Sequence, residues 1–268
     1  MTINQKQLEG ISNQYLTEFD RAYKLLGEQE VNLACEAFRT CIEFAKELQV
    51  HEPNNAVYFR WQAISYASLA EALAQTDARD EMLDAYKSAL SLFEVIWHKA
   101  GFSVAAISDL AQACCSFVDI SLDIEDIDSA RPVIEILLAL LQSKEFNSDV
   151  KEHESFEAKA KVHSSIGRFL KATHCNLDAA MHYLKGSELM ERALRTHPED
   201  ETLRCNVAIS WLQLALSDPG TESIKWLEKS YQSLKDMQMR IELPPQAEHA
   251  LNEVRYALGW RQLHGRGG

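Results

Sequence analysis

The sequence predicts an all-α chain of paired helices stacked in register. Three observations carry this. Gly and Pro are scarce, 10 and 6 residues in 268, and strands would need far more frequent turns. Apolar residues recur at three- and four-residue intervals through most of the chain, the spacing of one helix face. One short pattern also returns at nearly even intervals. In "DEMLDAYKSALSLF" Met82, Tyr86 and Ala89 fall at i, i+4 and i+7. Equivalent triplets are Ala34, Phe38 and Cys41; Ala130, Ile134 and Leu137; Ala180, Leu184 and Ser187; and, least well, Ile224, Glu228 and Tyr231. Their first positions step by 48, 48, 50 and 44 residues. That is the signature of an internal repeat.

Each triplet is preceded by a second helical segment. Tyr15, Phe19, Ala22 and Leu26 share one side of the first, and Trp61, Ile64, Leu69 and Leu73 make a wide apolar stripe on the second. "SVAAISDLAQACCSFVDISL", "SFEAKAKVHSSIGRFLKA" and "TLRCNVAISWLQLALS" play this part in the third, fourth and fifth units. Pro53 follows the second helix, and Asp128-Ser129 is the expected cap of the helix holding Ala130. "HPED" from His197 and "SDPGTES" from Ser217 separate later helices, and Pro244-Pro245 opens a last one. The expected architecture is eleven helices, five pairs and a C-terminal cap. It forms a single domain over residues 1–264, with 265–268 a flexible tail. Small residues in the triplets let backbones approach closely, and neighbouring pairs bury each other's apolar faces.

The pattern resembles the tetratricopeptide repeat, which has an aromatic, a Leu-Gly pair and a second aromatic on its first helix, then Ala, an aromatic and Ala on its second. The fourth unit matches best. "HSSIGRFL" puts His163, Ile166, Gly167 and Leu170 at first-helix places, and "AMHYLKGS" puts Ala180, Leu184 and Ser187 at second-helix places, with Pro198 beyond. The resemblance covers Tyr15 to about Met239, and the units are longer than the usual run of about 34 residues. It implies a right-handed α-α superhelix whose groove, lined by first helices, binds a protein or peptide segment. The family's Lys, Asn and Arg clamp for chaperone tails is not implied. Its places hold Phe19, Tyr23, Ala67, Glu71, Cys115 and Asp119.

Composition narrows the partners. The net charge is −13, so the surface as a whole repels nucleic-acid phosphates and anionic membranes. The longest apolar run, "PVIEILLALL", is far shorter than the roughly 20 residues of a membrane span. The N-terminus has no apolar leader. A cytoplasmic protein is expected. Six cysteines without a CxxC read as reduced packing residues.

Chemistry is sparse. "HESFE" at His153 has Glu157 where a zinc helix motif needs histidine. Cys35 and Cys41 would point about 120° apart on a helix. GxxxxGK[ST], GxGxxG and GxSxG are absent. No catalytic activity, metal or cofactor is expected. Two polar stripes are the candidate partner-binding residues. Lys161, Ser164, Arg168 and Lys171 form a basic one on the fourth first helix, suited to an acidic segment. Asn206, Ser210 and Gln213 form an amide-rich one on the fifth, suited to a peptide backbone. "DISLDIEDID", with Asp119, Asp123, Glu125, Asp126 and Asp128, lacks the central glycine of a calcium loop and reads as a solvated acidic junction. Arg255, Arg261, His264 and Arg266 make the C-terminus basic. The expected function is a non-catalytic adaptor. The alternatives are a sensor whose superhelix responds to a peptide or small ligand, and a self-assembling homo-oligomer joined through its solenoid ends.

Overall fold

The computed structural model describes residues 5–100, 104–147, 153–218, 220 and 222–264. The expected tail, 265–268, lies outside them. The described residues form twelve helices and no strand. α1 (Gln5–Gly27) pairs with α2 (Val31–His51) and α3 (Ala56–Leu73) with α4 (Arg79–Ala100), and α5 (Val104–Asp123) and α6 (Ile127–Gln142) follow in the chain. A four-residue helix, α7 (Lys144–Asn147), follows. It is the one element beyond the eleven expected. Then come α8 (His153–Ala172) with α9 (Asn176–Thr196), α10 (Glu201–Ser217) with α11 (Glu222–Gln238), and α12 (Pro245–His264) alone.

The chain divides into two compact units, Met1–Ile120 with Lys144–Phe146, and Ser121–Ser143 with Asn147–Gly268. In the first, α1 packs on α2, α2 on α3 and α3 on α4. In the second, α6 packs on α8, and α8 to α12 pack each on the next, with α10 also touching α12. Within each unit these helices adjacent in sequence are therefore adjacent in space, as a helical stack requires. α10 shows why first helices are apolar nearly all round. Leu203, Cys205, Val207, Ala208, Leu212, Leu214 and Ala215 are all buried, because α9, α11 and α12 cover it from several sides.

The triplets sit in the core, with a correction. Ala34, Phe38 and Cys41 are buried, as are Met82, Tyr86 and Ala89, and Ala130, Ile134 and Leu137. In the fourth unit Ala179, Tyr183 and Gly186 are buried instead of the expected Ala180, Leu184 and Ser187 register; Leu184 is 39% exposed although Ser187 is buried. In the fifth the buried set is Ser223, Leu227 and Ser230, and Ile224 is 44% exposed. Both registers slip by one residue. The corrected steps are 48, 48, 49 and 44 residues. Tyr183 also restores the aromatic at the centre of the fourth triplet. It lies so close to α8 that a Cβ built on Gly167 would stand 3.0 Å from its ring.

The turns repeat as well. Gln29, Glu125 and His174 have φ of 61–64°. Each follows a first helix and precedes a second. At each, the next residue's N–H reaches back five residues: Glu30 to the Leu25 carbonyl at 2.9 Å, Asp126 to Ser121 at 2.7 Å, and Cys175 to Leu170 at 2.8 Å. This is one helix-ending motif used three times, at residues 96 and then 49 apart. The cap of α6 is Asp126, whose carboxylate accepts from the Ser129 N–H at 3.2 Å, two residues before the expected Asp128. Asn55 and Asp200 cap α3 and α10 likewise.

Neighbouring first helices are tied by polar side chains about one repeat apart. Tyr15 and Ser65 meet at 3.1 Å, Tyr23 and Ser68 at 2.8 Å, and the Ser116 hydroxyl donates to Glu71 at 2.8 Å. Arg60 pairs with Asp109. Five cysteines are buried and only Cys175 is exposed, all six as free thiols. Burial pushes the Cys41 thiol up to about 12. No described helix is long and apolar enough to cross a membrane.

Two stability predictions follow from the register and the turns. Ala179→Leu overpacks the α8–α9 joint and costs roughly 1–3 kcal/mol, whereas Ala180→Leu, on a half-exposed position, is close to neutral. Urea unfolding of both variants checks this, and equal midpoints would place the register elsewhere. Gln29→Gly relieves a left-handed backbone and raises stability by roughly 0.5–1 kcal/mol after the added freedom of the unfolded chain is subtracted. A lower unfolding midpoint would contradict it.

Candidate partner-binding groove

Three helices of the second unit, α8, α10 and α12, share a groove of about 1000 Å³, closed by Tyr183 of α9 and by Leu122 and Asp123 from the last turn of α5. Its apolar floor comes from α10, whose Ile209, Leu212 and Leu216 recur at three- and four-residue intervals. Arg168 and Lys171 stand at one rim, and His249 and Glu253 of α12 at the other.

The groove takes in three of the seven candidate residues, Arg168, Lys171 and Gln213. Arg168 donates to the Asp123 carboxylate at 2.7 Å. Both groups are partly exposed, so the pair contributes about 0–1 kcal/mol. Its use is directional, since it holds the guanidinium at the groove wall. Lys171 has no salt bridge among the described residues and faces solvent. Ser164 lies beside the groove, and its hydroxyl donates to Gln213 Oε1 at 3.0 Å. That bond joins the basic stripe to the amide stripe and leaves the Gln213 NH2 to point elsewhere. Ser210 donates to the Val207 carbonyl of its own helix at 2.7 Å. Lys161, Asn206 and Ser210 are half-buried and do not line the groove. Lys161 stands two turns from Arg168, about 10 Å along the helix.

Two contributions were not visible as such in the sequence. Asp123 belongs to the acidic junction, yet it orients Arg168. α12, expected only as a cap, lines a whole wall. Its Gln246, His249 and Glu253 fall at i, i+3 and i+7, a polar face that helical spacing alone could have revealed.

A different pair of side chains meets between α8 and α9. His163 Nδ1 and His182 Nδ1 are 3.0 Å apart, so one imidazole donates and the other accepts. Burial first, then the charges of His182 and Lys185, lowers the His163 pKa to about 4. Burial and then Lys185 lower His182, with Asp178 opposing. Among the described residues no three His, Cys, Asp or Glu side chains are grouped to hold a metal ion.

No family model matches the sequence, and neither does any curated protein. Solved structures do. One is the S. pombe protein described as the hypoxic regulator of sterol synthesis Nro1, a nuclear import adaptor. It is 12% identical, with 92% of this chain and 93% of that one covered and a TM-score of 0.43. A second crystal form of Nro1 is 13% identical, covering 95% and 98%, at 0.42. The MamA protein is 13% identical, covering 87% and 100%, at 0.37. What the described residues themselves show is an all-helical array whose buried triplets return every 44 to 49 residues.

The histidine pair predicts an acid limb in stability. Both groups bind protons more weakly folded than unfolded. Their contribution is fully present above the ordinary histidine range, near pH 6.5, and is lost as the pH falls toward the folded value of about 4. His163→Phe should flatten the urea-derived stability curve across that window relative to wild type. Parallel curves would contradict the buried neutral pair.

Proposed function

We propose that this chain is a non-catalytic, cytoplasmic adaptor that binds an extended segment of a partner protein in the groove across α8, α10 and α12. The observation that carries this reading is an apolar floor with two cations at one rim, in a chain of net charge −13. The floor takes alternate apolar side chains of an extended peptide. Arg168 and Lys171 hold a carboxylate or phosphate on it, with charge-assisted hydrogen bonds. A partner carboxylate replaces Asp123 as the acceptor for Arg168, so the guanidinium is already oriented and less freedom is lost on binding. Gln213, steadied by Ser164, bonds the peptide backbone. Glu253 disfavours a second acid at the far rim, which gives the segment a direction.

The test is affinity capture from native lysate with mass spectrometry. Wild type is run beside Arg168→Glu with Lys171→Glu, and beside Lys161→Glu as a single charge reversal outside the groove. A partner lost about tenfold or more by the double variant, a change of about 1.4 kcal/mol or more, and kept by Lys161→Glu fits the reading. A partner kept by the double variant, with circular dichroism showing it folded, removes the groove from the account.

A further inference from the structure

We infer that the cavity between α6, α8 and α9 binds a small amphiphilic organic anion, and that the His163–His182 pair takes up a proton as the anion binds. This site is independent of the peptide groove. The cavity measures about 580 Å³, ample for a body of one or two rings with a charged head.

Its lining has two characters. Leu138 and Leu141 of α6, Phe156 of α8 and Leu189 of α9 give an apolar wall. Against it stand three cations, Lys159 of α8 and Lys185 and Arg192 of α9, with Glu188 the sole acid among the described residues of the lining. Setting the histidines aside, the described residues of the lining carry a net charge of +2 in a chain whose total is −13. α6 adds no charged group, only Gln142. Arg192 lies over the Phe156 ring at 5.2 Å, so its guanidinium is held at the mouth of the apolar wall. Neither Lys185 nor Arg192 has a salt bridge among the described residues. A cation is a poor fit to this lining. Two imidazoles flanked by three positive side chains disfavour a metal ion, and among the described residues no third ligand stands with them. An anion meets charge of the right sign, and an apolar body meets Leu and Phe side chains that water solvates poorly.

The imidazole pair supplies the linkage. Protonating it now adds positive charge next to Lys185 in a partly buried place, which is why both groups are held neutral. A bound anion reverses that balance. A singly protonated pair keeps its short contact, with one N–H bond to the other ring's lone pair. Asp178, which already favours the charged form of His182, assists. By reciprocity, an anion that raises proton affinity is itself bound more tightly at lower pH.

The test uses the full chain and naphthalene-2-sulfonate, whose charge does not change over the pH range. Histidine ring signals are followed by NMR during titration, with sodium sulfate and 2-naphthol as separate arms. The expected result is a saturable shift of the His163 and His182 signals, with affinity several-fold higher at about pH 5.5 than at about pH 7.5. It should fall about tenfold or more in the exposed-site variant Lys185→Ala with Arg192→Ala. Sulfate and 2-naphthol should each bind far more weakly. Ring signals that stay still, or that shift equally in the double variant, overturn the site. Sulfate binding as tightly as the sulfonate overturns the amphiphile, and equal affinity at the two pH values overturns the proton linkage.

Discussion

The closeness of each first helix to its second is the constraint on which the rest depends. It is set by a small side chain at one or both ends of each buried triplet. Gly167 and Tyr183 show the limit, since a single added carbon on α8 would stand 3.0 Å from the ring on α9. Gly186 shows it from the other side, with the Ala160 carbonyl 3.3 Å from where its Cβ would be. In the next pair Ser230 donates to the Ala208 carbonyl at 2.7 Å, so a polar side chain is satisfied while the backbones stay close. Tight pairs in turn bring first helices within reach of one another. The contacts of Tyr15 with Ser65, Tyr23 with Ser68 and Ser164 with Gln213 are the result.

That arrangement is what makes a groove available. Side chains about one repeat apart in sequence become neighbours, so a carboxylate on α5 orients an arginine on α8, and a serine on α8 steadies a glutamine on α10. The strongly acidic chain spreads its 27 Lys and Arg residues over many places. Two of these places adjoin cavities with apolar walls, the groove beside Arg168 and Lys171 and the pocket beside Lys185 and Arg192. Local charge opposed to the net charge concentrates attraction for anionic groups there and repels them elsewhere.

The fold was legible because close packing forces periodicity into the sequence. Every second helix needs a large residue at i+4 with a small one at i, at i+7 or at both, and the even steps between triplets exposed the repeat. The register of the fourth and fifth units was not legible from hydropathy. Ala179 and Ala180 are adjacent and alike, and Leu177, Met181 and Leu184 make an apolar line on α9 that is in fact exposed. The left-handed turn at His174, 49 residues after that at Glu125, agrees with the buried phase of the fourth unit, and its non-glycine residue gives no signal in the sequence. The site was half legible for the same reason. Helical spacing places Lys161, Arg168 and Lys171 along one stripe, but the groove receives only the C-terminal part of it. Whether a stripe faces a neighbour depends on where that neighbour crosses, which one helix cannot encode. The imidazole pair joins residues on two helices, and the role of α12 depends on its packing against α10.

The central claim is that stability is shared between neighbouring helix pairs and does not come from one irregular core. Hydrogen exchange with mass spectrometry on Leu227→Ala tests it most directly, because Leu227 is fully buried at the centre of the fifth triplet. The account predicts faster exchange in α10, α11 and α12, which surround the cavity left behind, with α6 and α8 protected as in the parent. A uniform loss of protection throughout α6 to α12 would contradict it.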